Sequence, residues 1–326
     1  MSADDEHSSK RVRPNVGSAL RKGPPGPDFA KGVKYWDGIE ASVDGVLGGF
    51  GNGPVPHIDQ LSSRLFILSL LPQLATFPNP ITPSPTPRTH RLTALDVGAG
   101  IGRVTNTVLL PLFDDVVLAE PVAHFIGEAH RAASAGEWRD IPRTGKIRDE
   151  AEAKENARRV AEWNKGRGKR VWFVQAGLQT LDPAFPARGN ATAGLVGEAR
   201  EGEGVFGEPE TAVEYDVVWC QWCLGHMSHA ELVAFLRRAK AALRAPQMGE
   251  SEDAGGAPLI VVKENCCEDG PGGRADEFLD EEDSSLTRSN GKWLEVFHEA
   301  GLQVVKEEVQ QGLPDELFVV KTWALR

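Results

Sequence analysis

LDVGAGIGR, residues 95–103, joins a buried-strand pattern to a helical pattern through Gly98, Gly100 and Gly102. Glycines at the junction of a strand and a helix let backbone N–H groups come close to a ligand at the helix N-terminus. The dinucleotide fingerprint of this kind is G-x-G-x-x-G, whereas the spacing here is G-x-G-x-G. The stretch therefore predicts a ligand-binding loop in an α/β sheet, and it departs from the dinucleotide pattern.

Short apolar runs surround this loop, and most of them are separated by a helical pattern or a long insertion. The strand-like runs are 92–98, 116–120, 171–176, 215–221, 258–265, 302–309 and 317–325. Such alternation is typical of a parallel, doubly wound sheet. QQGLPDE joins the last two runs and is too short for a helical crossover, so it predicts an antiparallel hairpin. We predict an α/β fold with a seven-strand, mostly parallel, Rossmann-like sheet and one antiparallel strand, the topology expected of class I methyltransferases.

Composition divides the chain into four parts. The segment 58–75 has apolar side chains at helical spacing and predicts a helix before the sheet. The predicted parts are a disordered tail (1–28), an N-terminal helical extension (29–76), a Pro-rich loop (77–91) and one large α/β domain (92–326). Within the large domain, 136–168 is a charged insertion with helical character, while 187–213 and 245–257 have the composition of surface loops.

The bulk composition excludes several classes of protein. The chain has 326 residues, 40% of them hydrophobic, which is enough for a large core. It has no apolar stretch of about 18 residues and no signal region, so we expect a cytoplasmic or nuclear protein with no membrane partner. Its net charge of −11 argues against nucleic acid and fits a basic substrate, although acidity can also serve solubility alone. We expect a monomer.

The cysteines suggest reduced thiols. The four are Cys220, Cys223, Cys266 and Cys267. They are too few for a disulfide scaffold. A zinc site is the alternative, but the usual second C-x-x-C is missing, so we predict no metal.

The glycine loop resembles the S-adenosylmethionine loop of class I methyltransferases, and other residues strengthen that resemblance. Glu120 ends the next strand about twenty residues on, where a carboxylate can accept both ribose hydroxyls. Arg103 could pair with the carboxylate of the cofactor. Asp96, inside the first strand, would hold the loop from behind. The alternatives are an exposed strand-end carboxylate for Glu120 and a helix-surface arginine for Arg103.

Two further positions complete the predicted cofactor site. The third strand leads into Leu178 and Gln179, which are placed to meet the adenine, with a plain turn as the alternative. Gln221 ends the fourth strand and is predicted to face the cofactor, although an amide that caps the sheet ladder is also compatible with its position.

Ligands of such sheets lie beyond the carboxyl ends of the strands, which directs attention to the segments after the fourth and fifth strands. His226 lies in the loop before a helix that starts with the capping box at Ser228 and Glu231. Asn265 ends the fifth strand and carries an amide that can both donate and accept. The segment DEFLDEEDSSLTR, 276–288, is strongly acidic. Most of its carboxylates should face solvent, and one or two in the cleft would bind a cation.

Together these motifs resemble the α-N-terminal protein methyltransferases, which methylate the free amino group of proteins that begin Xaa-Pro-Lys or Xaa-Pro-Arg after loss of methionine. The resemblance extends over most of the chain from residue 35 onward. It rests on the blocks YWDGIEASVDGVLGGFG (35–51), ALDVGAGIGRVTNTVLLPLF (94–113), YDVVWCQWCLGHMSHAELVAFLRRAKAALR (215–244), LIVVKENCCEDG (259–270) with FLDEEDSSLTR (278–288), and AGLQVVKEEVQQGLPDELFVVKTWALR (300–326). The insertion 136–168, the loop 187–213 and the proline run look like additions to the family core. RAPQMGESEDAGGA, together with Glu281 and Glu282, departs from the family pattern.

The resemblance implies roles for individual residues. The domain 92–326 would bind S-adenosylmethionine, and the extension 29–76 would cover the peptide site. The resemblance implies that Asp283 and His226 accept the proton of the substrate amine. It also implies that Asn265 fixes the first carbonyl of the substrate. The implied substrate-binding residues are Tyr35, Trp36, Leu47 and Gly48 in the cover, Trp222 against the substrate proline, and Asp280 and Ser285 for the Lys or Arg at the third position.

Each of these roles has a plainer explanation. The tryptophans could be ordinary core residues, and Asp283 could be one more surface carboxylate. Two other functional classes also fit parts of the pattern. A small-molecule amine methyltransferase would share the cofactor loop without needing the acidic segment, and a binding module would keep both ligands without turnover.

Overall fold

The computed structural model describes residues 26–75, 90–143, 147–162, 168–197, 207–246 and 256–326. Nearly all of the predicted tail (1–28) and of the Pro-rich loop (77–91) lies outside these residues, as does most of the insertion 245–257. No described helix combines the length and the apolar composition needed to cross a membrane.

Within the described part of the chain, ten strands form one sheet. The strands are β1 Thr93–Val97, β2 Asp115–Ala119, β3 Arg170–Gln175, β4 Ala191–Val196, β5 Val217–Gln221, β6 Leu259–Cys267, β7 Glu277–Asp280, β8 Ser285–Ser289, β9 Val304–Val309 and β10 Val319–Leu325. Their order is β4-β3-β2-β1-β5-β6-β10-β9, with β8 on β6 and β7 on β8. From β3 to β6 every neighbouring pair is parallel, and β10 runs antiparallel to both β6 and β9. The predicted seven-strand sheet with one reversed strand is confirmed.

Three further strands were not predicted. Within the predicted surface loop 187–213, residues Ala191–Val196 form β4, which pairs antiparallel with β3 at the sheet edge. Its residues are mostly exposed, so it lacks the hydrophobic pattern that signals a strand in a sequence. The acidic segment forms the hairpin β7–β8, whose second strand joins β6 where Cys266 faces Arg288. That hairpin brings the acidic residues to the carboxyl end of the sheet.

Helices cover both faces of the sheet. They are α1 Phe29–Asp37, α2 Val43–Val46, α3 Val55–Leu70, α4 Ala123–Ser134, α5 Glu150–Glu162, α6 His229–Ala241 and α7 Asn290–Glu299. One core layer lies under α6 and α7, and the other lies under α3 and α4. Strand β5 alternates between them, since Val218 and Cys220 point to one layer while Val217 and Trp219 point to the other. The helix predicted from 58–75 is α3, and the charged insertion contains α5.

The N-terminal extension is compact because its glycines allow close backbone contacts. A Cβ on Gly45 would lie 2.2 Å from the carbonyl oxygen of Glu40, and one on Gly51 would lie 2.4 Å from the Asp44 backbone. Gly48 and Gly49 take left-handed φ values of 60° and 87°. The glycines of 35–51 therefore fold this stretch into a tight cover and do not make it a flexible linker.

Candidate functional site

A pocket opens at the carboxyl ends of β1, β2 and β5 and is covered by α1 and α2. Many of the residues predicted to bind a ligand line it: Trp36, Gly98, Gly100, Arg103, Glu120, Leu178, Gln179, Gln221, Trp222 and His226. Other predicted residues lie outside its wall: Tyr35, Leu47, Gly48, Asn265, Asp280, Asp283 and Ser285. The structure thus brings the predicted cofactor residues together, with the predicted peptide residues mostly around them.

The three loop glycines differ in what they do. All have left-handed φ values, 59° at Gly98, 57° at Gly100 and 77° at Gly102. A Cβ on Gly98 would lie 2.2 Å from that of Cys223, and one on Gly102 would lie 2.7 Å from the ring of Trp138. At Gly100 the nearest atom would be a methyl of Val46 at 3.6 Å. The first and third glycines therefore permit packing, and the middle one faces the pocket.

Two buried carboxyl groups flank the loop. Glu120 accepts hydrogen bonds from the N–H groups of Gly100, at 2.7 Å, and Val122, at 2.8 Å. Asp96 accepts one from the hydroxyl of Thr105 at 2.6 Å, in a π-helical turn that follows the loop. Burial raises the pKa of each carboxyl to about 7. Asp96 thus lies in the pocket wall and bonds to Thr105 after the loop, and Glu120 is buried at the strand end instead of being an exposed carboxylate.

Arg103 and Gln221 meet at a residue that the sequence did not single out. Asp59 on α3 is 1% exposed and accepts from Arg103 Nη1 at 2.6 Å. The amide of Gln221 donates to both oxygens of Asp59 at 2.9 Å and accepts from the indole of Trp219. Arg103 is therefore not a helix-surface arginine. Gln221 reaches the pocket wall with its amide already engaged by neighbouring side chains.

Helix α1 forms the cover of the pocket. Trp36 Nε1 donates to His226 Nε2 at 3.0 Å. Gly32 lets the helix pack closely, because a Cβ there would lie 3.0 Å from His226 Nδ1 and 3.2 Å from the carbonyl oxygen of Asp283. Phe29 fits over Gly177, where a Cβ would approach its ring to 2.5 Å. The face of α1 that carries these residues closes the site.

The acidic hairpin anchors the start of α1 through polar atoms. The backbone N–H of Asp28 donates to the hydroxyl of Ser284 at 2.8 Å, and Lys31 Nζ donates to the carbonyl oxygen of Glu281. Asp28 also caps α1 by accepting from the N–H of Lys31. Ser284 has a left-handed φ of 57°. The cover and the hairpin are thus one assembly, joined through the hydroxyl of Ser284 and the carbonyl oxygen of Glu281.

His226 and Asp283 interact electrostatically beneath α1. Burial lowers the pKa of His226, while the charge of Asp283 opposes that change. Burial raises the pKa of Asp283, and His226 together with a hydrogen bond from Ser285 opposes the increase. Ser285 Oγ donates to Asp283 at 2.7 Å. Ser285, predicted to contact the substrate, therefore holds the Asp283 carboxylate in this structure.

The remaining predicted residues have distinct settings. Trp222 follows β5 with a left-handed φ of 54°, a costly conformation for a large side chain. Its backbone N–H donates to the carbonyl oxygen of Lys263. Asn265 lies on β6 opposite Val320 and outside the pocket wall. Asp280 is half-buried, whereas Glu281 and Glu282 are exposed, as expected for a charge run with few cleft residues.

Two buried charged residues that sequence analysis missed support the loop of His226. Arg288 is 0% exposed and donates to the carbonyl oxygens of Leu224, at 3.2 Å, and Met227, at 2.5 Å. Glu264 accepts from the N–H groups of Cys223 and Leu224. For Glu264 the available signal was its position within the strand-like run 258–265, since a charge inside a buried strand needs a partner. Arg288 lies in the acidic segment, which was not predicted to be a strand.

The cysteines do not meet as metal ligands. Cys220, Cys223 and Cys266 are buried and Cys267 is half-buried. Among the described residues, no group of three or more His, Cys, Asp or Glu side chains is arranged to hold a metal ion.

Comparison with known proteins follows the same lines as the geometry. A family model described as AdoMet dependent proline di-methyltransferase matches residues 27–148 and 206–326. An alpha N-terminal protein methyltransferase 1 from Arabidopsis thaliana is 33% identical over 91% of this chain and 79% of its own length. The N-terminal Xaa-Pro-Lys N-methyltransferase 1 of Homo sapiens is 31% identical over 91% and 95%. A solved SAM-dependent methyltransferase from Leishmania major aligns with a TM-score of 0.57 and 28% identity, over 91% of this chain and 82% of that one.

Proposed function

Because the chain belongs to the family of AdoMet-dependent proline di-methyltransferases, we propose that it methylates the α-amino group of protein N-termini that begin Xaa-Pro-Lys or Xaa-Pro-Arg. The observation that carries this proposal is the meeting of the α1 cover and the acidic hairpin above His226. We expect a short N-terminus to bind at this junction, where the acidic side chains favour a basic residue. Protein N-termini are therefore the proposed partners.

The pocket residues fit S-adenosylmethionine, which supplies the methyl group when bound. Glu120 lies where it can accept from ribose hydroxyls, and its carboxyl group is already directed at the loop N–H groups. The open side of Gly100 leaves room for a ligand against the backbone. Leu178 and Gln179 would line the adenine, and Arg103 would pair with the carboxylate. These are the proposed roles of the individual cofactor-binding residues.

Several residues around the pocket would receive the peptide. Trp36 and Trp222 offer aromatic faces for the proline ring at the second position. Asp280 and Ser285 would meet the basic side chain at the third position, with Ser285 giving up part of its contact with Asp283. Tyr35, Leu47 and Gly48 would support the cover from behind, and Asn265 would fix the first carbonyl.

A proton acceptor is required because an α-amine with a pKa of about 7.7–8.0 is largely protonated at neutral pH. Only the unprotonated amine has the lone pair that attacks a methyl group. Asp283 is suited to take the proton, since burial raises the pKa of its carboxyl. His226 Nε2 accepts a bond from Trp36, so His226 would act on the proton only after that bond opens.

The direct experiment is mass spectrometry of a Ser-Pro-Lys-initiated peptide incubated with the protein and S-adenosylmethionine. An N-acetylated copy of the peptide is the matched control. We expect methyl masses on the unblocked peptide only. Lack of methylation on both peptides, with cofactor binding intact, would contradict the proposal and favour a small-molecule amine as substrate.

For the cell we propose a monomer that acts in the cytoplasm or the nucleus and does not bind nucleic acid. The acidic net charge of −11 supports the exclusion of nucleic acid. Light scattering of the purified chain and imaging of a fluorescent fusion would test the oligomeric state and the location.

A further inference from the structure

Three charged side chains form a buried chain behind the pocket. Lys263 Nζ on β6 lies 2.5 Å from Asp59 Oδ1 on α3, and Asp59 Oδ2 lies 2.6 Å from Arg103 Nη1. The side chains of Lys263 and Asp59 are each 1% exposed, and that of Arg103 is 9% exposed. Arg103 alone of the three lines the pocket. From the core outward the charges are therefore positive, negative and positive, and the last of them, on Arg103, faces the pocket.

The inner end of this chain is fully bonded. The ammonium group of Lys263 also contacts the hydroxyls of Ser63, at 3.0 Å, and Ser62, at 3.2 Å. Its acceptors therefore all belong to α3, a helix of the N-terminal extension. Burial alone would raise the pKa of Asp59, but Arg103 and Lys263 outweigh it and lower that pKa to about 2. Asp59 is consequently ionised throughout the neutral range.

The charge at the outer end of the chain is only partly neutralised. Lys263 and Arg103 both contact the single carboxylate of Asp59. Its one negative charge cannot neutralise both cations. The other carboxyl group that interacts with Arg103 is Asp96, which accepts its hydrogen bond from Thr105 and has a pKa raised to about 7. A partly buried cation that is incompletely neutralised is costly until an anion joins it. The pocket wall at Arg103 therefore favours an anionic group on the ligand.

We propose that Lys263 and Asp59 are positioning residues for the carboxylate of the cofactor. Asp59 fixes one nitrogen of the Arg103 guanidinium, and Lys263 neutralises Asp59 so that the positive charge of Arg103 remains effective toward the pocket. The same pair ties the cofactor side of the site to α3. This inference rests on the cofactor of the family and is independent of which amine is methylated.

The test compares two ligands of the full chain by calorimetry. S-adenosylhomocysteine carries the carboxylate, and decarboxylated S-adenosylhomocysteine lacks only that group. In Lys263→Met, Asp59 is left to neutralise Arg103. We expect the affinity for S-adenosylhomocysteine to fall about tenfold, whereas that for the decarboxylated ligand falls less than about threefold. A merely structural role would weaken both ligands equally, and that result, like an absence of any change, would overturn the proposal.

Two further variants guard against a folding defect. Lys263→Arg keeps the charge, so we expect it to preserve the ratio of the two affinities within about threefold. Lys306→Met removes a lysine on β9 that also bonds to a serine of α3, Ser69 Oγ at 2.6 Å, but has no link to Arg103. It should leave the ratio at the wild-type value. Loss of the carboxylate preference in Lys263→Arg as well would show that charge is not the cause and would contradict the proposal.

Discussion

Trp36 Nε1 donates a hydrogen bond to His226 Nε2 at 3.0 Å. Because Nε2 accepts this bond, it carries no proton, and the proton of the neutral imidazole resides on Nδ1. The bond joins the cover to the wall of the pocket. Since a protonated Nε2 would be a donor itself, it could not accept from the indole. Protonation of His226 at Nε2 and this hydrogen bond therefore exclude each other.

Replacement of Trp36 tests this exclusion. In Trp36→Phe the ring packing is largely kept, but the donor that favours neutral His226 is lost. We expect the pKa of His226 to move upward from its lowered value, as measured by NMR titration of the imidazole. The imidazole of His229, which bonds to Glu299 outside the pocket, serves as the internal reference in the same spectra. An unchanged midpoint for His226 would show that the indole does not determine its protonation.

Gly32 tests the fit of the cover. Alanine favours a helix more than glycine does, yet its Cβ would press on His226 and Asp283 at 3.0 and 3.2 Å. We expect Gly32→Ala to lower the rate of Ser-Pro-Lys peptide methylation about tenfold, because α1 must shift by a few tenths of an ångström. The control is Gly127→Ala at an exposed position of α4, where a Cβ meets nothing within 4 Å. It should keep full activity and gain about 0.5–1 kcal/mol of stability. Equal activity of the two variants would contradict a closely fitted cover.

Asp280 tests recognition of the third residue of the peptide. Asp280→Asn removes a half-buried charge, so we expect KM for a Ser-Pro-Lys peptide to rise about fivefold with little change in kcat. Glu281→Gln, an exposed neighbour, should change KM less than about twofold. A Ser-Pro-Glu peptide should not bind measurably. If that peptide bound as well as the lysine peptide, the acidic hairpin would not be the specificity pocket.

Glu120 gives a prediction for stability against pH. Its pKa is raised to about 7 by burial, from the usual 4.5. Between pH 4.5 and 7 the folded chain keeps a proton that the unfolded chain has released, so this carboxyl lowers stability as pH rises through that window. Between pH 4.5 and 7.5 we expect the unfolding free energy of wild type to fall by about 2–3 kcal/mol more than that of Glu120→Gln. Urea denaturation at each pH measures both.

Glu137→Gln is the control for that measurement, because Glu137 is an exposed partner of Arg131 and should leave the slope of stability against pH close to wild type. Parallel slopes for wild type and Glu120→Gln would mean that the Glu120 carboxyl is ionised at all these pH values in the folded chain.

The sequence predicted best what depends on local pattern. Gly98 and Glu120 follow strands directly, and Arg103 follows the glycine loop that Gly98 begins. Parallel strands bring their carboxyl ends to one edge, so the meeting of these residues could be inferred without coordinates. The antiparallel end of the sheet followed from the short link between β9 and β10. These features depend on neighbours in the chain and on the general rules of α/β topology.

What the sequence did not predict depends on contacts between distant segments. Asp59 meets Arg103 across 44 positions and Gln221 across 162, and nothing near Asp59 in the sequence marks it as buried. Strand β4 escaped notice because its exposed residues have no alternation of apolar and polar side chains. The bond from Trp36 to His226 spans 190 positions. Such pairs form only when α1 and α3 pack on the folded sheet.

The left-handed backbone of Trp222 has a consequence for protein engineering. That conformation costs an ordinary residue roughly 1 kcal/mol more than glycine. Glycine at position 222 would relieve this backbone cost, but it would also remove the half-buried indole that lines the pocket and the packing that the indole provides. Position 222 should therefore be held fixed when a heat-resistant variant of the protein is selected.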